Sequence, residues 1–259
     1  MARHVGKFGA YVAGEPSRLL VPSRLAGPRR HQVFGGLTGA ELVRSKIALE
    51  VRLGDLLPGD RLPDAGVISQ ALSVSEITVR RSMEIMDQDG LLERRRGRVG
   101  GTFISQKWNA VIAAMRNDEQ ARQLIDFQLV LECGLAACSC GDIDQADLDS
   151  LSEHILPSDA ESDPNLFALA DAHFHLGLAK ALGGWRSWER QSDLLGKLCL
   201  LLPKPPMDVA LKLNEAHSEL LEGLAKGSIE ESINAIKFHA RCWPPSNHVG
   251  DFDQDSIKH

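Results

Sequence analysis

The chain has 259 residues, of which 43% are hydrophobic and 25% charged, and its formal net charge is −6. This length allows two domains with a core each, and the composition is ordinary for a soluble globular protein. No apolar run approaches the roughly 20 residues that a membrane helix needs, and the N-terminus has no compact apolar segment typical of a secretory signal, so we expect a cytoplasmic protein with no membrane partner.

The charge is divided unevenly along the chain. Residues 1–105 contain 16 Lys and Arg against 11 Asp and Glu, whereas residues 106–259 contain 13 against 24. A basic N-terminal part suits a polyanionic partner and an acidic C-terminal part does not, which indicates two parts with different tasks. The five cysteines form no CxxC pair. We interpret them as buried free thiols in a reducing compartment, with redox sensing through Cys138 and Cys140 as the alternative.

The N-terminal part begins with an arm and continues with three predicted helices. Residues 1–36 are rich in Gly, Pro and Arg without apolar periodicity, which predicts a flexible arm. Helices are predicted over 38–53, 64–72 and 75–89. Pro58 and Gly59 form the turn after the first helix, while Ser75 caps the third helix and Gly90 ends it.

A cationic hairpin follows the three helices. Strands are predicted over 91–93 and 102–104, on either side of a turn that contains four arginines and three glycines. Two helices separated by a short break, followed by such a hairpin, have the layout of a winged helix-turn-helix, which we assign to residues 37–106. The second helix of this unit enters the DNA major groove and the hairpin, or wing, lies on the DNA backbone.

The residue types of this unit fit contacts with duplex DNA. Arg80 on the third helix can reach a guanine edge or a phosphate, and the wing arginines can lie on phosphates or enter the minor groove. The alternative is a run of charge that only contacts water. The candidate DNA-contacting residues are Ser75, Glu76, Thr78, Arg80, Arg81, Arg95, Arg96, Gly97 and Arg98.

The C-terminal part shows helical patterns only. Residues 107–116 are interpreted as a linker, residues 117–243 as an all-helical domain, and residues 244–259 as a frayed tail. The predicted helices span 117–140, 144–155, 161–182, 185–201, 207–226 and 228–242. The fold class expected for the whole chain is therefore mostly α, with an N-terminal winged helix-turn-helix and a C-terminal helical bundle.

The N-terminal part resembles the winged-helix domain of the GntR family of bacterial regulators. The resemblance rests on Leu-Leu-Pro-Gly-Asp-Arg-Leu-Pro at 56–63, Val-Ser and Val-Arg at 74–75 and 79–80, Asp-Gly-Leu-Leu-Glu at 89–93 and Gly-Thr-Phe at 101–103. Two positions depart from the family, which commonly has DNA-contacting arginines where this chain has Gly66 and Glu76. Glu76 can either accept a hydrogen bond from cytosine or repel phosphates.

Residues 117–243 resemble the effector-binding domain, of the FCD type, in the FadR-like branch of this family. The carrying motif is Asp-Ala-His-Phe-His at 171–175, in which Asp171 and His175 share one helix face. The resemblance implies that these two residues meet His217 and His239 around one divalent metal ion. Three imidazoles and one carboxylate suit zinc or nickel. The alternative is a set of unrelated histidines, and His173 is expected to lie off the site.

The resemblance also implies a ligand site beside the metal. The family often places a carboxylate-binding arginine four residues before a glutamate of the first bundle helix, and this chain has Gln128 before Glu132. Gln128 and Glu132 are the candidate effector-binding residues. The family's usual asparagine near 184 is replaced by Gly184.

The leading interpretation is a ligand-responsive transcriptional regulator and not an enzyme. It is expected to be a homodimeric repressor that binds double-stranded operator DNA and a small carboxylate effector. One alternative is a metal-dependent enzyme with Glu132 or Glu215 as general base, although no HExxH signature occurs. Another is a DNA-binding protein with a purely structural metal.

Overall fold

The computed structural model describes residues 38–97, 100–157 and 163–242, so the predicted arm, the predicted tail and Arg98 lie outside the described residues. Within these ranges no helix is long and apolar enough to cross a membrane. The elements in chain order are α1 (Gly39–Arg52), α2 (Ala65–Leu72), α3 (Glu76–Gln88), β1 (Leu92–Arg95), β2 (Gly101–Ile104), α4 (Trp108–Ala114), α5 (Asp118–Ser139), α6 (Gln145–Ser152), α7 (Pro164–Leu201), α8 (Met207–Lys226) and α9 (Ile229–Cys242).

The N-terminal half, residues 38–114, is a winged helix-turn-helix, as predicted. Thr38 and Glu41 form a capping box that fixes the start of α1. Ser73 ends α2 in a left-handed conformation, and the Thr78 amide donates to Ser75 Oγ at 3.1 Å to start α3. The antiparallel strands β1 and β2 pair from Leu92 with Ile104 to Arg95 with Gly101.

Residues 107–116, interpreted from the sequence as a linker, include a short helix that packs on the N-terminal core. They contain α4, whose Trp108 and Ile112 are only 4% and 3% exposed. Both side chains join the core that α1, α2 and α3 form with Leu91 and Ile104. The chain therefore closes the N-terminal half with a short helix, because these two large apolar residues are buried more favourably than they are solvated.

The helical half, residues 118–242, is the predicted bundle. Its central core joins α5, α7, α8 and α9 around the fully buried Phe174 and Leu178. Helices α8 and α9 approach closely where Gly223 faces Ser232, since a Cβ at Gly223 would lie 2.8 Å from the Ser232 nitrogen.

The two helices predicted over 161–182 and 185–201 are both present as the two segments of α7, which meet at a kink. The helix continues through Gly183, and only Gly184 leaves helical geometry, with φ 68° and ψ −164°. A kink at one glycine turns the second segment without ending the helix, since glycine adopts a positive φ at little cost.

Helix α1 is shared by the two halves. Leu49 of α1 and Leu53, which caps its C-terminus, pack with Leu176 and Leu195 of α7, while the other side of α1 belongs to the N-terminal core. Lys46 of α1 forms an ion pair with Asp193 at 3.2 Å. The N-terminal half is therefore seated directly on the helix that carries two of the candidate metal ligands.

The described cysteines are free, but their exposure differs from the expectation that all are buried. Cys199 is buried and Cys138 is exposed, while the other three are partly buried. Burial raises the pKa of the Cys199 thiol, which keeps it protonated.

Candidate functional site

The start of α3 presents the predicted base-reading residues to solvent. Ser75, Glu76, Arg80 and Arg81 are exposed and Thr78 is half-buried. Arg80 Nε donates to Glu76 Oε1 at 3.0 Å, so the two side chains form one ion pair along the helix. Glu76 therefore holds the guanidinium that was predicted to reach DNA, a role that the i,i+4 spacing of the two residues on one helix could have indicated.

The two departures from the family pattern are neighbours in space. A Cβ built on Gly66 would lie 3.9 Å from Glu76 Oε2. Two arginines at these positions would point into the same region in front of α2 and α3. This chain places the carboxylate of Glu76 there, and Gly66 contributes no side chain. The change in charge is thus concentrated at one spot of the surface.

The wing concentrates the arginines of β1. Arg94, Arg95, Arg96 and Gly97 are exposed, and Gly97 turns the chain with φ +105°. The Arg95 guanidinium lies 4.2 Å from the centre of the Phe103 ring and 3.4 Å from Glu93 Oε2. Stacking on an aromatic ring gives the guanidinium a fixed platform at the surface.

In the helical half, the predicted ligands Asp171, His175, His217 and His239 meet inside the bundle. One ligand atom from each lies within 4.8 Å of the others. The distances from Asp171 Oδ1 to the Nε2 atoms of His175, His217 and His239 are 3.7, 3.8 and 3.1 Å. Two ligands come from α7 and one each from α8 and α9, so the cluster joins three helices.

Glu132 orients His175 through Nδ1, the ring nitrogen that faces away from the cluster. The His175 Nδ1 atom lies 2.7 Å from Glu132 Oε1, and the amides of Gln128 and Gln191 each donate to the same oxygen at 3.0 Å. An imidazole held at Nδ1 by a carboxylate presents Nε2 to the cluster, which is how metal-binding histidines are commonly supported. Gln191 was not predicted, because its part in the site depends on how α7 continues after its kink.

Opposing charges set the ionisation of this pair. Burial alone would lower the pKa of His175, but the charges and hydrogen bonds of Glu132 and Asp171 raise it to about 10. Burial would raise the pKa of Glu132, and His175 and Gln128 more than offset it, so that pKa lies below its usual value. The same carboxylates that favour a proton here would favour a cation.

Asp171 and His217 have the ionisation states that a metal ligand needs. Despite burial, hydrogen bonds and charges from His175 and His239 hold the pKa of Asp171 well below its usual value. Burial, together with the positive charges of the same two histidines, holds the pKa of His217 well below 6.5. The first is therefore a carboxylate and the second a neutral imidazole.

His217 carries the clearest indication of a missing partner. Its side chain is 2% exposed and stacks on Phe174 with ring centres 4.0 Å apart. Its Nε2 atom has no hydrogen-bond partner among the described residues. A buried polar atom without a partner is costly unless something else satisfies it, and here it faces the other three ligand atoms.

His173 lies away from the cluster, as expected. Its ring stacks on His154 with centres 5.2 Å apart. Burial and the charge of His154 lower its pKa to about 4. Two residues along a helix from each ligand, it points to the other side of α7.

A cavity of about 90 Å³ adjoins the cluster. Asp171, His175 and His239 line it together with the predicted effector residues Gln128 and Glu132, and leucines of α7 form an apolar wall. Arg52 of α1 also lines this cavity. No sequence pattern points to this residue, because it belongs to the N-terminal half and reaches the cavity only through tertiary packing.

Two family patterns match the chain. Residues 40–104 match bacterial regulatory proteins of the gntR family, and residues 123–241 match the FCD domain. These ranges correspond to the winged helix-turn-helix and to the bundle that contains the cluster. Together they cover more than two thirds of the chain.

Relatives of known name are similar over part of their length. The HTH-type transcriptional regulator LutR of Bacillus subtilis (strain 168) is 30% identical over 140 residues, which cover 51% of this chain and 62% of LutR. The Uxu operon transcriptional regulator of Escherichia coli (strain K12) is 27% identical over 132 residues, 48% of this chain and 51% of that protein. The chain thus matches less than two thirds of the length of either relative.

Among solved structures, E. coli McbR/YncC is similar with a TM-score of 0.45 and 15% identity, over 80% of this chain and 95% of that chain. The relatives named above are transcriptional regulators and not enzymes. The order of the two domains and the two matching family patterns agree on the family of this chain. The chain belongs to the GntR family of bacterial regulatory proteins, with an FCD domain after its DNA-binding domain.

Proposed function

We propose that this chain is a homodimeric transcriptional repressor, active in the cytoplasm, whose bundle binds one divalent metal ion and a small carboxylate. The observation that carries the proposal is the meeting of three imidazoles and one carboxylate within 4.8 Å beside a cavity. The cluster and its cavity support a ligand site, and the exposed arginines of α3 and the wing support a DNA-binding surface.

The DNA-binding part of the proposal rests on the exposed residues of α3 and of the wing. Arg80 is held by Glu76 on the first turns of α3, the part of a recognition helix that faces base edges. The wing arginines would contact phosphates, which contributes affinity without reading sequence. In a homodimer, two such units would span two half-sites about one helical turn apart.

The metal part rests on the donor set. Asp171, His175, His217 and His239 would hold a zinc or nickel ion, since borderline divalent ions prefer imidazole nitrogen with a carboxylate oxygen. When bound, the ion supplies a Lewis-acidic centre that can accept a carboxylate oxygen of a ligand. The adjoining cavity favours this over a purely structural ion, whose coordination would be closed by protein.

Elemental analysis tests the metal part directly. The protein, purified without chelators, should carry about one zinc or nickel ion per chain. His217→Ala should lose the ion, because it removes one of four ligands, whereas His173→Gln, a change on α7 outside the cluster, should keep it. Wild-type protein without metal after incubation with zinc would refute this part.

Salt-dependent binding to duplex DNA of random sequence tests the other part. Replacing Arg95 and Arg96 with alanine should weaken binding and lower the slope of log affinity against log salt by about 2, since each phosphate contact contributes about 0.9. Lys212→Ala with Lys237→Ala removes two exposed cations from the helical half as a matched control. An equal effect of both double variants would show that only net charge, and not the wing, binds DNA.

A further inference from the structure

We propose that Arg52, a residue of the DNA-binding half, is the second anion-binding point of the cavity, so that the ligand is a small dicarboxylate held between the metal and α1. This inference rests on the proposed function, because the first anion-binding point is the proposed metal ion. It assigns two negative charges to the ligand, and it links the ligand physically to the DNA-binding half through α1.

The position of Arg52 is fixed at the junction of the two halves. It lies in the last turn of α1, where a cation also interacts favourably with the helix dipole. Its Nη2 atom donates to the backbone oxygen of Leu202, the residue that caps the C-terminus of α7, at 3.4 Å. A guanidinium has five N–H donors, so this bond leaves donors for a ligand.

Within the described lining of the cavity, Arg52 is the one lysine or arginine. The acidic groups that line it, Glu132 and Asp171, belong to the cluster and its support. Apolar side chains such as Leu195 and Leu198 form the wall. In an apolar environment a cation attracts an anion more strongly than it does in water, because the local dielectric constant is lower.

Because the cluster and Arg52 both line the cavity, two negative groups on one molecule could be held there. One carboxylate would approach the metal ion at the cluster, and the other would pair with the planar guanidinium, which suits two-point contact with a carboxylate. A monocarboxylate of the same length would supply one negative group only, so Arg52 would gain no ionic contact from it. The cavity volume of about 90 Å³ limits the ligand to a small molecule.

Placing the second anion-binding point on α1 would make ligand binding depend on where the N-terminal half sits. Leu49 of the same helix and its C-cap Leu53 are packed on α7, which also carries Asp171 and His175. A dianion that joins Arg52 to the cluster favours the arrangement in which α1 is docked. It would shift DNA affinity if the DNA-bound arrangement differs, since a ligand shifts an equilibrium only by its differential affinity.

The test compares succinate with butyrate, which have equal carbon number, on zinc-loaded full-length protein. The wild type should bind succinate about tenfold more tightly than butyrate, as expected for one added charged contact. Arg52→Gln should lose this preference while keeping its affinity for butyrate and its zinc content. Arg44→Gln, on the same helix but paired with Asp89 away from the cavity, should behave as wild type.

If Arg52→Gln does not fold, Arg52→Lys replaces it in the comparison of succinate with butyrate. It keeps the charge but loses the two-point geometry, so its preference for succinate should be reduced. An unchanged preference in either Arg52 variant, or a wild type that holds zinc but does not prefer succinate, overturns this inference and leaves the proposed metal site standing. A wild type that holds no zinc refutes the proposed function and this inference with it.

DNA affinity provides the second measurement. Succinate should change the affinity of zinc-loaded wild type for a random-sequence duplex by several-fold, and should leave that of Arg52→Gln unchanged. Succinate that binds through Arg52 without changing DNA affinity would overturn the link between ligand and DNA-binding half. Both ligands are added at the same ionic strength, because salt alone changes DNA affinity.

Discussion

The contact between α1 and α7 provides the sharpest test of how the two halves are joined. At Gly196 of α7, a Cβ would lie 2.5 Å from the backbone oxygen of Ser45 in α1 and 2.9 Å from its carbonyl carbon. These are backbone atoms of a helix, so they cannot rotate away as the end of a side chain can. We therefore expect Gly196→Ala to push the two helices apart.

The magnitude follows from two opposing effects. Ordinary contact begins near 3.4 Å, so the helices must separate by about 0.9 Å at this point. Overpacking of this kind costs about 1–3 kcal/mol, whereas alanine in place of a helical glycine stabilises by up to about 1 kcal/mol. We expect a net loss of about 1–2 kcal/mol in the free energy of unfolding, or about 2–8 °C in melting temperature.

Thermal unfolding followed by circular dichroism measures this change. Gly134→Ala is the matched control, because Gly134 lies inside α5 and a Cβ there meets nothing within 4 Å. This control should raise the melting temperature, since it gains helix propensity without a clash. If Gly196→Ala were as stable as Gly134→Ala, α1 and α7 would not be packed as described, and the N-terminal half would not be docked on the bundle through these helices.

Two further predictions concern the supporting carboxylates. Glu132→Gln should lower zinc affinity about 10–100-fold, measured in competition with a chelator, because a neutral amide supports the imidazole less well than a carboxylate does. Glu215→Gln, at an exposed position, should leave zinc affinity unchanged. Equal zinc affinities of the two variants would mean that Glu132 does not orient a ligand. Glu76→Gln should release Arg80 and steepen the salt dependence of binding to random DNA by about 1, since the guanidinium becomes available to a phosphate. An unchanged slope would show that Arg80 stays directed at base edges or away from DNA.

The sequence predicted those features that depend on local chemistry. The boundaries of α3 follow from the Ser75 cap and from Gly90, and short-range spacing places Asp171 and His175 on one helix face. The meeting of these two with His217 and His239 could be expected only from a family resemblance. Periodicity cannot tell which faces of separate helices meet.

The features that the sequence did not predict depend on tertiary packing. Gly184 separates two helical segments of α7 as expected, but the direction of the second segment, which brings Gln191 to Glu132, could not be predicted. Trp108 and Ile112 follow polar residues and a strand, and their short helix is stabilised by the core it covers. In the sequence, Arg52 has the pattern of an ordinary cation at the end of a helix. It reaches the cavity only because α1 packs on α7.

The double membership of α1 has a consequence for recombination between regulators. A fragment cut after Ala114 would carry α1 with it and expose Leu49 and Leu53, whose burial contributes about 1.5–3 kcal/mol each. A gene fusion that joined this N-terminal half to a foreign bundle would meet the same mismatch, and also the clash at Gly196 with any larger residue. Exchange of either half would disrupt the surface between α1 and α7, so in evolution these two helices should change together.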